Sequence, residues 1–214
     1  MVHKYNDPGC RRRSRLNLSG ILPRSTVNGP GIRTVVWVQG CPIRCSGCFN
    51  KTSWSFSPVN TVSVKELAAR ILATDGIDGV TFSGGEPFAQ AGALASLGDR
   101  IKEAGLSLVT YTGYTPEQLM KRRRPAWDHL LRITDLLIAG PYIAHLACTD
   151  TCRGSSNQQV IPLSGTILPE NGTPEKSEKP ENGVEFTIGA DGSIITSGFP
   201  NQPFVKRLAR RCGG

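Results

Sequence analysis

The sequence predicts an α/β protein built on a mainly parallel sheet, and three observations carry that reading. Short apolar runs alternate with stretches of helical periodicity at close spacing, the pattern of right-handed βαβ units. The 214 residues give room for one sizeable buried core, and length alone gives no reason to divide them. Three apolar runs end in unusual residues: QGC (39–41), SGGE (83–86) and TYTG (110–113). A parallel sheet collects ligands outside the carboxyl ends of its strands, so all three are expected on one rim.

Residues 1–10 show no periodicity, and together with the run RRRSR (11–15) they read as a basic, mobile N-terminal segment, 1–15. LNLSGIL (16–22) alternates like a strand. STVNGPGIR (25–33) is a turn-rich connector, where Gly29 and Gly31 permit a tight fold or a close ligand approach, or simply an ordinary turn. Ile32 and Val35 to Val38 read as a buried strand that breaks at Gln39-Gly40. SVKELAARILA (63–73) is expected to be a helix: Ser63 caps it, Glu66 follows three residues on, and Leu67, Ile71 and Leu72 share a face. GVTFS (79–83) is the next strand. Ala91 to Ala104 is helical, with Leu94, Leu97 and Ile101 facing a core. LSLVTY (106–111) is a strand, Thr115 to Arg122 a helix, Trp127 to Leu131 a short helical piece and DLLIA (135–139) a strand. Beyond Gly140 the pattern loosens. The stretch 162–183, rich in Pro, Glu, Lys, Ser and Gly, reads as a mobile insertion. Residues 184–214 give strands at Val184 to Ile188 and Ser193 to Ile195 around the hairpin turn Ala190-Asp191-Gly192, then a basic tail with KRLARR (206–211).

Apolar residues make up 38% of the chain, and 24 glycines with 15 prolines imply many turns and loops. Lys plus Arg number 25 against 17 Asp plus Glu, a net charge of +8. That excess favours an anionic partner or serves as a solubilising surface. The basic runs lack interleaved aromatics and no nucleic-acid motif is present, so no nucleic-acid partner is expected. Seven cysteines is an odd number, and nothing resembles a secretory signal or a membrane span. A reducing cytoplasm is therefore the expected location, with no disulfide framework and no membrane partner.

The chemistry concentrates at Cys41, Cys45 and Cys48. Their C-x3-C-x2-C spacing is neither the paired C-x2-C units of a four-thiolate zinc site nor the bacterial ferredoxin run. Three thiolates are one ligand short. A zinc ion would complete its shell with water, while a four-iron, four-sulfur cluster would keep one iron open for another ligand. Gly40 and Gly47 keep the loop compact and leave N–H groups free to face sulfur. In GGE, Gly84 and Gly85 allow close backbone approach, and Glu86 would suit the ammonium of a small zwitterion; alone, the triplet is also a plain βα turn. Cys148 and Cys152, in CTDTC, are too few for a metal site and read as loop thiols, with shielding, redox exchange or interchain zinc as alternatives. Cys10 and Cys212 are given no chemical role. His129 and His145 read as structural or surface groups, Trp37 as core and Trp54 as a surface residue facing a partner.

CPIRCSGC (41–48) and SGGEP (83–87) resemble the two signature motifs of the radical S-adenosylmethionine superfamily. VNGPGIRTVVWVQGC (27–41), CSGCFN (45–50), VTFSGGEPFAQ (80–90), TYTGYTPEQL (110–119), DLLIAGPYI (135–143) and RGSSNQQVI (153–161) resemble the branch that activates anaerobic ribonucleoside-triphosphate reductase, a glycyl-radical enzyme. The likeness covers residues 16–161 and implies a (β/α) barrel of the radical SAM type. A closed eight-stranded barrel needs about 250 residues, so a partial, open barrel is expected, completed by a C-terminal hairpin or edge strands. The resemblance implies that Cys41, Cys45 and Cys48 hold a [4Fe-4S] cluster whose unique iron takes the amino and carboxylate groups of S-adenosylmethionine. Gly84, Gly85 and Glu86 would meet the methionine end, with Asn50, Tyr111, Thr112 and Gly113 also binding cofactor. Many relatives carry an aromatic just before the last cluster cysteine. Gly47 stands there instead, as in the reductase-activating branch, so the adenine must pack elsewhere, with Phe49 the candidate.

The implied reaction is reductive cleavage of S-adenosylmethionine to methionine and a 5′-deoxyadenosyl radical, which takes hydrogen from a backbone glycine of a partner enzyme. An external one-electron donor such as flavodoxin or ferredoxin is implied, and no side chain is needed as general acid or base. Two alternatives remain: the same cofactor chemistry on a peptide or small molecule, and a zinc- or nucleic-acid-binding module without enzymatic activity.

Overall fold

Leu16, Leu18 and Leu22 are buried to within 1%, and the alternation they impose produces the long first strand, β1 (Arg15–Ser25). The structure, a computed structural model, describes residues 14–122, 124–148, 152–165, 183–189, 191–192 and 194–199. β2 (Arg33–Val38) returns antiparallel to β1 after the NGPG turn. β3 (Asn60–Ser63) pairs with the other edge of β1 and leads straight into α1 (Val64–Leu72). There follow β4 (Gly79–Gly84), α2 (Ala91–Glu103), β5 (Ser107–Thr112), α3 (Pro116–Lys121), α4 (Pro125–Ile133) and β6 (Leu136–Ala139). β7 (Gln159–Pro162) lies antiparallel to β6. β8 (Val184–Ile188) and β9 (Ile194–Gly198) form a separate hairpin.

The sheet order is β3-β1-β2-β4-β5-β6-β7, with β2, β4, β5 and β6 parallel to one another. It is open rather than closed, with antiparallel strands at both edges. Buried on both faces, these parallel strands carry apolar runs instead of alternation; every residue of LLIA in β6 is buried. One face packs under the helices, where Val36, Val38, Val80, Phe82, Leu108 and Leu137 meet Leu67 and Ile71 of α1, Leu94, Leu97 and Ile101 of α2, and Leu130 of α4. Ser63 caps α1 by accepting from the Glu66 N–H. Thr115 and Gln118 form a reciprocal capping box on α3, with Pro116 at its first turn.

β3 and β7 have no counterpart among the strands expected from the sequence. NTVS buries only Val62 and QVIP buries nothing fully, so neither edge strand carries a hydrophobic pattern to read. The C-terminal hairpin forms as expected, but β9 runs on to Gly198. Outside the described residues lie most of the basic segment 1–15, the insertion beyond residue 165 up to 182, and the tail after Phe199. Cys10 and Cys212 go with them.

The other face of the sheet holds a buried cation. Arg33 is 1% exposed and reaches across the amino ends of three strands. Its Nε donates to Thr81 Oγ1 (3.0 Å), Nη1 to the Pro30 carbonyl (2.9 Å), and Nη2 to the carbonyls of Val80 (3.1 Å) and Ser107 (2.8 Å). Burial pulls its pKa down to about 10, opposed by Tyr111, Asp135 and Asp78. The planar five-donor fork serves acceptors that a lysine could reach only singly. Asp135, 2% exposed, anchors the start of β6 by accepting from Lys102 Nζ (2.7 Å to each oxygen) and the Leu108 N–H (2.8 Å). Burial raises its carboxyl pKa, but Lys102, Ser164 and Leu108 outweigh that and hold it below the usual range.

Arg33→Met leaves those four acceptors without their donor. It should cost about 3 kcal/mol or more in urea denaturation, and Arg33→Lys should recover only part of the loss.

Candidate active site

β2 delivers the cysteine loop, and polar contacts close that loop onto itself. Gly40 N–H donates to the Ser53 carbonyl (2.8 Å) and Cys41 N–H to the Trp54 carbonyl (3.1 Å). Buried Gln39 donates from Nε2 to the carbonyls of Thr52 (3.1 Å) and Ser55 (2.8 Å). Within the loop, Arg44 adopts φ 54°, a left-handed conformation that costs a residue with a β-carbon about 1 kcal/mol. The turn gathers consecutive amides: the N–H groups of Arg44 and Ile43 face Cys41, and that of Tyr142 faces Cys45. Burial pushes both thiols above their ordinary pKa while these amides pull them back. Asn50 N–H donates to Cys48 Sγ (3.4 Å).

The end of β4 docks against this loop. Gly85 N–H donates to the Val38 carbonyl (2.7 Å) and Glu86 N–H to the Gly40 carbonyl (2.9 Å). Gly84 has φ 98°, and a β-carbon there would lie 2.6 Å from the Val38 nitrogen; one on Gly85 would collide with the Gly40 carbonyl. Both glycines are thus required by strand-end packing. Glu86 is 1% exposed. Its Oε1 accepts from Phe88 N–H (2.9 Å) and Thr112 Oγ1 (2.8 Å), and its Oε2 from Gly113 N–H (2.8 Å). Burial raises its pKa to about 7 against the pull of those three donors.

The structure brings the sequence-selected residues together. Cys41, Cys45, Cys48, Asn50, Gly84, Gly85, Glu86, Tyr111, Thr112 and Gly113 all line one cavity at the carboxyl ends of β2, β4 and β5. The sequence reading missed others there: Tyr142 and Gly140 after β6, Gly154 and Gln158 before β7, and Gly198 and Phe199 after the hairpin. Trp37, expected in the core, is half-buried and lines this cavity, as does Trp54, expected on a partner-facing surface. Cys148 forms no disulfide with any described residue; Cys152 packs beside Val109, Leu136 and Ile138. His129 pairs with Asp99 at 2.9 Å, a structural contact as expected.

The residues present suit an iron–sulfur cluster with an organic ligand. Among the described residues, no three His, Cys, Asp or Glu side chains are grouped closely enough to hold a single metal ion. Cys41, Cys45 and Cys48 line one cavity, and soft thiolates are the ligands that iron–sulfur clusters take. Trp54 Nε1 and the Tyr111 hydroxyl are buried in residues that line the cavity, and they have no hydrogen-bond partner among the described residues. Two orphaned donors facing one cavity are what a bound group rich in acceptors would satisfy.

Residues 27–161 match the model of a family described as the 4Fe-4S single cluster domain. The chain belongs to that family. It is of the radical S-adenosylmethionine type, an enzyme with a [4Fe-4S] cluster and S-adenosylmethionine as cofactors. Over 156 residues it is 32% identical to the anaerobic ribonucleoside-triphosphate reductase-activating protein of Enterobacteria phage T4, covering 68% of this chain and 93% of that protein. It is 34% identical over 130 residues to the pyruvate formate-lyase-activating enzyme of Staphylococcus aureus, which is 57% of this chain and 51% of that relative, about half its length. Among solved structures, QueE from Escherichia coli aligns with a TM-score of 0.40 at 20% identity, over 52% of this chain and 58% of that one. No helix among the described residues is long and apolar enough to cross a membrane.

The Glu86 carboxyl predicts a pH effect on stability. Its folded pKa of about 7 lies above the ordinary carboxyl value, so between roughly pH 4.5 and 7 the folded chain holds a proton that the unfolded chain has released. The stability of the cluster-free protein should therefore fall as pH rises through that window, by up to about 3 kcal/mol. Glu86→Gln should flatten the dependence in denaturation curves taken at pH 5 and pH 8.

Proposed function

We propose that this chain activates a glycyl-radical enzyme of the anaerobic ribonucleotide reductase kind. The observation that carries the reading is the convergence of the three cysteines, the GGE turn and the Tyr111–Gly113 strand end on one cavity. It is supported by a relative with the reductase-activating name that the chain spans almost end to end.

In this reading Cys41, Cys45 and Cys48 hold the cluster, and the amides directed at Cys41, Cys45 and Cys48 stabilise its negative charge and tune its potential. When bound, the cluster supplies one electron that splits S-adenosylmethionine into methionine and a 5′-deoxyadenosyl radical. The chain's own task is placement. Gly84 and Gly85, lacking side chains, would leave backbone open to the methionine end. Glu86, two of whose three hydrogen bonds fall on Oε1, keeps acceptor capacity on Oε2 for an ammonium. Trp54 Nε1 and the Tyr111 hydroxyl offer donors to carboxylate or ribose oxygens. The partner glycine would give its Cα hydrogen to the radical so supplied and would itself be left as the radical. The electron comes from a low-potential protein donor of the flavodoxin or ferredoxin class, for which exposed Arg44 and Lys51 beside the cluster loop provide a basic landing site.

Anaerobic reconstitution should load about four irons and four sulfides per chain, and Cys→Ala at position 41, 45 or 48 should abolish stable loading. Reduced wild type should release 5′-deoxyadenosine and raise a glycine-centred paramagnetic signal on the reductase. Zinc in place of iron, or cleavage with no such signal on any glycyl-radical enzyme of the same cell, would overturn the reading.

A further inference from the structure

Phe199 lies beyond the matched family segment 27–161, yet it lines the same cavity as the three cysteines. Its ring meets Phe49, the neighbour of Cys48, at 6.4 Å and 80°, and Tyr111 of β5 at 6.0 Å and 44°. Phe49 in turn meets Tyr142 edge-on at 5.6 Å and 77°. Four rings thus converge from the cysteine loop, a strand end, the loop after β6 and the C-terminal hairpin.

Contacts away from the cavity hold the hairpin in place. Asn28 Nδ2 donates to Ser197 Oγ and to Ser25 Oγ, and both Asn28 and Ser197 are buried. Glu185 Oε1 accepts from Thr26 N–H (3.3 Å) and Thr26 Oγ1 (3.5 Å). Gly198 has φ 104°, and a β-carbon there would strike the Gly183 carbonyl. Only glycine allows that turn, and the turn is what sends Phe199 into the cavity instead of along the strand.

Gly47 explains why a ring is needed from so far along the chain. A β-carbon on Gly47 would sit 2.7 Å from that of Ala144, so no aromatic fits at that place in the loop. The aromatic side of the cavity has to be supplied by other segments. Its rings meet edge-to-face or tilted rather than stacked on one another, which leaves faces open to a planar heteroaromatic base.

We propose that Phe199 is a positioning residue for the nucleoside half of S-adenosylmethionine: from the C-terminal hairpin it closes the aromatic side of the cavity and shields the base from solvent. The inference rests on the cofactor assignment above. It is tested by calorimetric titration of S-adenosylmethionine into the full, cluster-loaded chain. Stacking on an aromatic is typically lost about tenfold in affinity on truncation, so Phe199→Ala and Phe199→Leu should each weaken Kd about tenfold. Phe199→Tyr should bind as wild type does, and so should Ile188→Ala, a control on the same hairpin at 72% exposure. Iron content and melting temperature should hold in all four. Wild-type affinity in Phe199→Ala, or rescue by leucine as complete as by tyrosine, would overturn the proposal alone. Loss of iron in Phe199→Ala would also overturn it, by making the ring a cluster shield. A cluster-loaded wild type that binds no S-adenosylmethionine would overturn the cofactor assignment as well.

Discussion

Glu86 joins three strand ends that would otherwise be free to drift apart. Its backbone N–H donates to the Gly40 carbonyl just after β2, and its carboxylate accepts from Thr112 and Gly113 at the end of β5. The third acceptor bond, to Phe88 N–H, holds the turn that follows β4. An isolated buried carboxylate costs several kcal/mol, and only a full set of donors makes one tolerable. The cysteine loop, the GGE turn and the Tyr111–Gly113 segment therefore move together or not at all. That coupling is what a cofactor touching all three requires.

Two glutamine side chains do similar work where backbone pairing runs out. Gln90 Nε2 donates to the carbonyls of Asn17 and Gln39 at 2.8 and 2.9 Å, while its Oε1 accepts from Asn17 N–H. Gln39 in turn donates to the carbonyls of Thr52 and Ser55 at the far end of the cysteine loop. A loop carrying three thiols cannot bury much apolar surface of its own. Amide side chains, each with two donors and an acceptor, supply the order that packing cannot. The strain at Arg44 is affordable within such a frame, since both ends of the loop are already fixed.

The parallel strands and the site rim were legible because they leave periodic or compositional traces: apolar runs in β2, β4, β5 and β6, and glycine, cysteine and glutamate where those runs stop. The four helices were legible in the sequence, α1 and α2 from their apolar faces and α1 also from its Ser63 cap; the Thr115 capping box of α3 emerged only in the structure. β3 and β7 left no trace because edge strands need bury only one side chain or none. Phe199 was illegible for another reason. Its place in the site depends on Asn28 meeting Ser197 across 169 positions of chain, a contact no local pattern encodes. Trp54 was misread because its polar neighbours Lys51, Thr52 and Ser55 suggest a surface; the carbonyls of Thr52 and Ser55 instead accept from Gln39 and close the loop.

The same three strands are clamped at both ends by buried ionisable side chains. Arg33 spans the amino ends of β2, β4 and β5 through Thr81, Val80 and Ser107, and Glu86 spans their carboxyl ends. Among the described residues neither has an ion-pair partner; each is served by backbone and hydroxyl dipoles, which are fixed in direction and indifferent to salt. A flexible counter-charge would let the strands slide by a rotamer change, whereas carbonyls and amides at set positions in a parallel register do not. Chemistry that releases a reactive radical demands placement to a fraction of an ångström and exclusion of water. The two clamps supply the first within the family domain. The second falls to Tyr142, after β6, and to the C-terminal hairpin, which lies outside the matched segment.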